Sequence, residues 1–502
     1  MMPFASMISA LVPDWGRKVL GRVSASPLGL RLAHGALWSL MGALVSRLLG
    51  LAAFIIVARL LGKAGYGQLG IIQSTVGMFG VFAGFGLGQT ATKYVAELRH
   101  KDPERAGRIM AMAGMVATAT GALMAAVLFV LAPWLATATL AAPELAPLLR
   151  IGSLILIFEA MNGAQMGALA GFEAFRVSAM INIWVGLATF PMMTLGVYWG
   201  GLMGGVWALA ANRALNWLLY HVGLRRETRR MGVPFRLQGA RTEFRILLHY
   251  SLPSMLSGIM VTPTLWICNA MLVNQPDGYA QMGIFQATMV FQQMLLFIGN
   301  TLSAPLLPLL ANHLDRRDER LERINMLSTW ALGAFAVLFF LGLPEVASIL
   351  FGKGFAGQHF TQTFLLIVFG ASIVIYRQGL ARILSAHGLM WWGMLSNLMW
   401  GGTLIGLTWV LVSRGAFGYA TAWACAYGLN TVLFLPLYIR KRLVPPGTII
   451  SREALLIWLL LLAVLAMSLL GVGLGWRLAF IPIAMVSMGW LFWRLLTWKR
   501  VP

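Results

Sequence analysis

What this chain has little of is charge, and above all negative charge. Only 11% of its 502 residues are charged, against about 25% in soluble domains, while 59% are hydrophobic against roughly 45–50%. That balance excludes a soluble globular protein. Cysteine is nearly absent as well, with only Cys268 and Cys425. Two such residues exclude a disulfide framework and a cysteine-based zinc site, and both fall inside predicted helices, where they read as buried structural thiols. Also absent are a glycine-rich phosphate loop followed by Lys-Ser or Lys-Thr, a metal-type histidine spacing and a nucleophile elbow. No catalytic domain fits outside the apolar segments, because the connections between them are short.

What is present is a series of apolar stretches long enough to cross about 30 Å of hydrocarbon, which takes about 20 helical residues. They are read at 36–61, 69–91, 110–135, 149–170, 178–199, 202–223, 246–273, 279–304, 326–351, 362–384, 390–412, 416–438, 455–473 and 478–497, an all-α integral membrane protein of about 14 transmembrane helices. Placing the N-terminus in the cytoplasm puts 30 of the 38 lysines and arginines in cytoplasmic loops, and the alternation never breaks. The formal charge of +22 is thus an orientation device suited to an anionic inner leaflet, and it does not indicate nucleic-acid binding. Both termini are expected in the cytoplasm.

The chain repeats itself. Residues 65–75 read GYGQLGIIQST and residues 278–288, 213 positions later, read GYAQMGIFQAT. At offsets of 214 to 215, Leu169, Asn182, Gly201, Gly204, Ala208, Leu215 and Asn216 recur as Leu384, Asn397, Gly415, Gly418, Ala422, Leu429 and Asn430. Repeated halves of membrane helices mark an alternating-access transporter with its site between the halves. Six helices per repeat is an even number, so the two lobes are expected to be related by a pseudo-two-fold axis along the membrane normal. The predicted organisation is a cytoplasmic N-terminal segment at 1–32, with an amphipathic surface helix favoured over a signal peptide because its basic residues follow its apolar start. An N-lobe at 33–224, a basic linker at 225–245, a C-lobe at 246–438, a cytoplasmic loop at 439–454 and a terminal helix pair at 455–497 complete it.

Charges at the bilayer centre are costly and point to function. Arg47, Glu159 and Arg213 each lie about ten residues into a predicted helix of the first lobe, near mid-membrane depth. Their charges sum to +1, so pairing Glu159 with one arginine leaves a cation that calls for water or an anionic ligand. Glu159 itself reads either as that charge partner or as a coupling-ion site. In the second lobe Arg377 and Arg382 approach from the cytoplasmic end, with His249 nearby, either snorkelling to headgroups or meeting a ligand. Gln73, Gln286, Asn182 and Asn397 occupy matched elements of the two repeats, as cavity-lining amides or as interhelical hydrogen bonds.

Several motifs carry a resemblance: ARLLGKAGYG at 58–67, LAGFEAFR at 169–176, YSLP at 250–253, PLLP at 305–308 and FGKGFA at 351–356. Over about residues 36–440 the chain resembles the oligosaccharide flippases of bacterial envelope synthesis, in the multidrug/oligosaccharidyl-lipid/polysaccharide (MOP) exporter superfamily. Ser46, Arg47, Leu48, Leu49 and Gly50 are similar to the first-helix motif of the lipid II branch. Ala53 and Phe54 stand where that branch continues with Arg-Asp, which argues against lipid II as the substrate. The resemblance implies a transporter rather than an enzyme, needing no cofactor, in the bacterial inner membrane, moving an undecaprenyl-diphosphate-linked oligosaccharide for O-antigen, capsule or exopolysaccharide. Its partners would be an envelope polymerase and glycosyltransferases. On that reading Arg47, Arg213 and Arg377 meet the diphosphate, and Gln73, Gln286, Asn182 and Asn397 meet sugars. The alternatives are a cation-coupled multidrug extruder of the same superfamily, for which Glu159 is the one available mid-membrane acid, and a membrane polymerase or ligase, for which the outer loops are too short.

Overall fold

A computed structural model of the chain describes residues 27–235, 238–244, 246, 251, 259–303, 319–386, 389–441, 443–445, 447–448 and 450–497. The described residues are overwhelmingly helical and contain no strand. Eight helices among them are long and apolar enough to cross a membrane. The segments are α1 (Pro27–Gly84), α2 (Leu87–Leu98), α3 (Pro103–Trp134), α4 (Ala146–Gly171), α5 (Phe175–Arg230), α6 (Val261–Val273), α7 (Gly278–Ser303), α8 (Glu319–Gly342), α9 (Glu345–Phe351), α10 (Gln358–Ala386), α11 (Met390–Leu411), α12 (Gly415–Arg440), α13 (Arg452–Leu469) and α14 (Leu474–Thr497).

Local sequence explains where these segments start and break. Asp102 accepts from the Arg105 amide at 2.9 Å, Pro103 takes a first-turn position that needs no donor, and Glu104 faces the positive helix end, so α3 begins there. Ser451 caps α13 in the same manner. The 56-residue α5 would reach about 84 Å if straight, far more than one crossing needs. It breaks at Gly201, whose φ of 54° is a left-handed conformation glycine adopts without a side-chain penalty. Gly415, its repeat equivalent, has φ 65° at the start of α12. Three residues on, the second matched pair behaves alike: a side chain at Gly204 would strike the Gly196 carbonyl, and one at Gly418 the Leu411 carbonyl. The duplicated glycines therefore make the same turn in both halves.

Some boundaries differ from the sequence expectation. The stretch expected at 326–351 ends at Gly342, and the chain restarts as α9 after Pro344. The stretch expected at 69–91 ends at Gly84, then turns through positive φ at Phe85 and Gly86 before α2 carries on to Leu98. The basic linker expected at 225–245 is still helical to Arg230. Cys268 is buried as expected, but Cys425 is exposed, because it shares the outward side of α12 with Leu429 and Val432. Residues 1–26 and the motif at 305–308 lie outside the described residues, as do 247–250 and 252–258 of the stretch expected at 246–273, His249 and Pro253 among them.

Packing follows from small residues and interhelical hydrogen bonds, since lipid offers helices little hydrophobic reason to associate. A side chain at Gly167 would strike the Gly88 carbonyl, and one at Gly88 would press on the Gly163 carbonyl, so these glycines seat α2 on α4. One continuous buried core runs from α1 through α7, α8 and α10 to α14, and a smaller one joins α2, α3, α4 and the end of α5. The terminal pair is held firmly: Trp330 of α8 stacks on Trp458 of α13 at 5.5 Å and meets Phe492 of α14 edge-on at 5.0 Å. Arg477 ties the start of α14 to Glu345 and to the Gly342 carbonyl.

Candidate functional site

The two copies of the repeated motif pack against each other. A side chain at Gly67 would strike the Tyr279 carbonyl and one at Gly283 the Lys63 carbonyl, so these glycines let α1 and α7 touch backbone to backbone. Around that contact Tyr66 packs edge-on to Phe355 at 6.2 Å, while its counterpart Tyr279 donates to the Leu140 carbonyl at 2.7 Å. Arg59 donates to the carbonyls of Leu350 and Ile349, each at 2.9 Å, and Asn274 to that of Thr139 at 2.7 Å. The meeting of the halves is therefore sealed at the end formed by the turns at 62–65 and 274–278.

α1 breaks at Gly62, where φ is 68°, so from this seal its later part runs alongside α7 in the same direction and its earlier part returns opposite to α7. Fourteen residues before Leu61, the last residue ahead of the break, and so about 21 Å along the helix, the Arg47 guanidinium lies 5.6 Å from the ring centre of Phe297. Arg47 is exposed, and no ion-pair partner stands beside it among the described residues. A guanidinium over an aromatic face keeps its charge and its free donors. On the part of α1 after Gly62, Trp266 donates to Thr75 at 3.0 Å and Asn269 to Ser74 at 2.8 Å, joining α6 to α1.

The other candidates fall into separate clusters. Glu159 of α4 lies 3.5 Å from Arg213 of α5, each a little under half exposed, so the sole mid-membrane acid of the first half is paired with Arg213 and not with Arg47. Asn162 donates to the Arg213 carbonyl at 3.3 Å. Asn182 accepts from Tyr220 at 3.2 Å. Gln286 packs its side chain onto Gly70, at the contact between α1 and α7, and Gln73 lies half-buried one turn further along α1. In the second half Arg377 donates to Ser396 at 2.9 Å and lies 5.7 Å from the ring centre of Tyr427. Ser396 in turn meets the Asn430 side-chain oxygen at 2.9 Å, and Asn430 donates to the Ser396 carbonyl at 2.8 Å. Asn397 is half-buried beside this group. Arg382 donates to Asn325 at 2.6 Å and to Thr329 at 2.7 Å, bracing α10 on α8 where sequence left snorkelling open.

Sequence reasoning missed Ser396, Tyr427 and Phe297 as arginine partners, because serines and aromatics are too common in membrane helices to stand out. Asn430 did carry a signal, as the repeat match of Asn216. Among the described residues no group of three or more His, Cys, Asp or Glu side chains is placed to hold a metal ion.

The fold is similar to that of solved membrane transporters of the MOP type. It superposes on an inward-closed lipid II flippase MurJ with a TM-score of 0.69 at 14% identity, covering 92% of this chain and 99% of that one. An inward-facing multidrug resistance MATE family transporter of the MOP superfamily matches with a TM-score of 0.61, also at 14% identity, over 81% and 98%. Residues 32–314 match the polysaccharide biosynthesis protein family, and the chain belongs to that family. Among curated relatives, the EPS I polysaccharide export inner membrane protein EpsE of Ralstonia nicotianae is 29% identical over 262 residues, 52% of this chain and 58% of that protein. A lipid III flippase of Escherichia coli is 24% identical over 332 residues, 62% of this chain and 78% of the relative. The match to EpsE thus spans under two thirds of that relative's length.

Proposed function

We propose that this protein is a flippase that carries a polyprenyl-diphosphate-linked oligosaccharide from the inner to the outer leaflet of a bacterial inner membrane, for O-antigen, capsule or exopolysaccharide. The architecture it uses is fourteen crossings: α1 and α5 each count as two that meet at Gly62 and Gly201, α2 completes the second crossing of α1, and the seven-residue α9 is not counted. Two lobes, at 33–224 and 246–438, exchange between inward-open and outward-open states about an axis along the membrane normal, with both termini cytoplasmic. The self-packing of the repeated motif supports that axis, and the matched turns at Gly201 and Gly415 support the two lobes. The membership of a polysaccharide biosynthesis family supports the substrate class.

The observation that carries the reading is Arg47: a charged donor on the helix beside the meeting of the halves, about 21 Å from the sealed end, with no carboxylate beside it among the described residues. A diphosphate supplies the missing anion, and guanidinium forms short, charge-assisted bonds to phosphate oxygens. Arg213, shared with Glu159, and Arg377, anchored by Ser396, are the further cations of the anion path. Gln73, Gln286, Asn182 and Asn397 offer amides to the sugars, while the polyprenyl tail stays in lipid and the polar head crosses between the lobes. Glu159 tempers the charge of Arg213 and is the candidate for a coupling ion.

The test is binding of a polyprenyl-diphosphate oligosaccharide to the purified protein, against a neutral polyprenyl control, with Arg47→Ala beside wild type. The expected result is diphosphate-dependent binding that weakens at least about thirtyfold in the variant, the loss typical of one desolvated charge contact. Equal binding of both lipids by both proteins overturns the assignment.

A further inference from the structure

On the first half, away from the meeting of the lobes, lies a cavity of about 1140 Å³. It is walled by α3, α4, the last turns of α5 and residues 232–235, and among the described residues none beyond Phe235 lines it. Its lining is mostly apolar and small, with Gly114 and Ala119 of α3 and Ala164 of α4 beside the uncharged polar Thr118, Gln165 and Thr228, and its charged members are Arg225 and Arg229, near His221. None of the lining residues is acidic, and Arg225 and Arg229 have no ion-pair partner among the described residues. Glu227, the nearby acid, is buried on another side of α5 and faces Arg230 at 3.5 Å.

Two magnitudes define the occupant. Along α3 the lining runs from Met110 to Ala122, about 18 Å of helix, close to the roughly 15 Å of hydrocarbon in one leaflet. Around α5, Arg225 is turned roughly 120° from Arg213, so the groove and the Glu159–Arg213 pair open on different sides of the helix. Met115 in the lining is exposed, as are Leu123, Leu218 and Val222 within three residues of lining positions on α3 and α5, an apolar surface suited to a bilayer. The basic rim lies at the end where Arg99, Arg105, Arg108, Arg226 and Arg230 gather, the cytoplasmic end under the orientation proposed above.

We infer that this groove binds an anionic phospholipid of the inner leaflet, with an acyl chain along the Gly114 and Ala164 floor and the headgroup phosphate on Arg225 and Arg229. An apolar trough one leaflet deep with a purely cationic rim fits an anionic lipid better than a zwitterionic one, whose own ammonium would meet the same arginines. The site is distinct from the substrate path, so it holds whether or not the carried lipid is a sugar diphosphate.

The test uses the full chain in lipid nanodiscs, with phosphatidylglycerol carrying a photoactivatable tail set against phosphatidylcholine with the same tail. Labelled peptides are read by mass spectrometry. Phosphatidylglycerol is expected to label residues 110–122 in wild type, and Arg225→Gln with Arg229→Gln to reduce that labelling about thirtyfold, the effect of two arginines at a membrane surface. Gly114→Leu fills the trough and leaves the charges intact. A Cβ there meets nothing within 4 Å, so the variant is expected to fold and still lose the label. Equal labelling by the two lipids, labelling that survives both sets of substitutions, or displacement by a polyprenyl-diphosphate oligosaccharide each overturns the inference.

Discussion

Replacing Gly283 with alanine should open the sealed end of the molecule. The new Cβ would lie 2.8 Å from the carbonyl carbon of Lys63 and 3.2 Å from its Cα, where carbon atoms sit comfortably at 3.5–4.0 Å. The obstacle is backbone on a facing helix, which cannot swing aside as a side chain does, so α1 and α7 must separate by about an ångström. Overpacking of this kind costs about 1–3 kcal/mol. In an alternating-access protein that cost falls only on the state in which this end is closed, so the ratio of closed to open should fall about 5- to 150-fold. Spin labels on cysteines placed at Ala64 and Pro276, in a background lacking Cys268 and Cys425, report the distance across the contact. The expected result is a longer-distance population in Gly283→Ala that is minor or absent in wild type. The control is Gly163→Ala, where a Cβ meets nothing within 4 Å. A distance distribution in Gly283→Ala identical to wild type would refute the idea that this backbone contact closes the transporter.

Three further outcomes follow from the side-chain clusters. Glu159→Gln should change stability by less than about 1 kcal/mol, because the pair is nearly half exposed, yet tighten diphosphate-lipid binding by releasing Arg213; unchanged or weaker binding removes Arg213 from the anion path. Asn430→Leu removes two bonds to Ser396, the anchor of Arg377, and should cost about 1–3 kcal/mol in a denaturation series, so wild-type stability in that variant contradicts the anchor. At Glu345, partial burial pushes the carboxyl up, but the hydrogen bond from Arg477, a bond from its own backbone and the Arg477 charge together outweigh it and hold the group below the ordinary glutamate value of 4.5. A depressed carboxyl stabilises above its unfolded pKa and loses that contribution as pH falls through the folded one. Hydrogen-exchange protection at the start of α14, taken relative to the intrinsic exchange rate at each pH, should therefore fall below about pH 4.5 in wild type and stay constant across that range in Glu345→Gln.

The sequence by itself determined the solvent and the repeat. Membrane embedding follows from composition, since a chain with so few charges must place most of its surface in hydrocarbon. The matched glycines were legible because backbone geometry leaves glycine little choice: Gly201 and Gly415 stand where φ is positive, and Gly204 and Gly418 where a carbonyl occupies the side-chain position. The mid-membrane charges were also visible, because Arg47, Glu159 and Arg213 are conspicuous in apolar runs. What tertiary structure decided is which charge meets which. Three groups at similar depth offer either pairing, and only the packing of α4 on α5 puts Glu159 beside Arg213 and leaves Arg47 over Phe297. The same holds for Arg377, whose partners Ser396 and Tyr427 come from two other helices, and for the lipid groove, whose floor and rim are set by how three helices lie side by side. Depth along a helix is a one-dimensional quantity that a sequence records, whereas the direction a side chain faces within a bundle depends on helix rotation and neighbours, which only the assembled fold supplies.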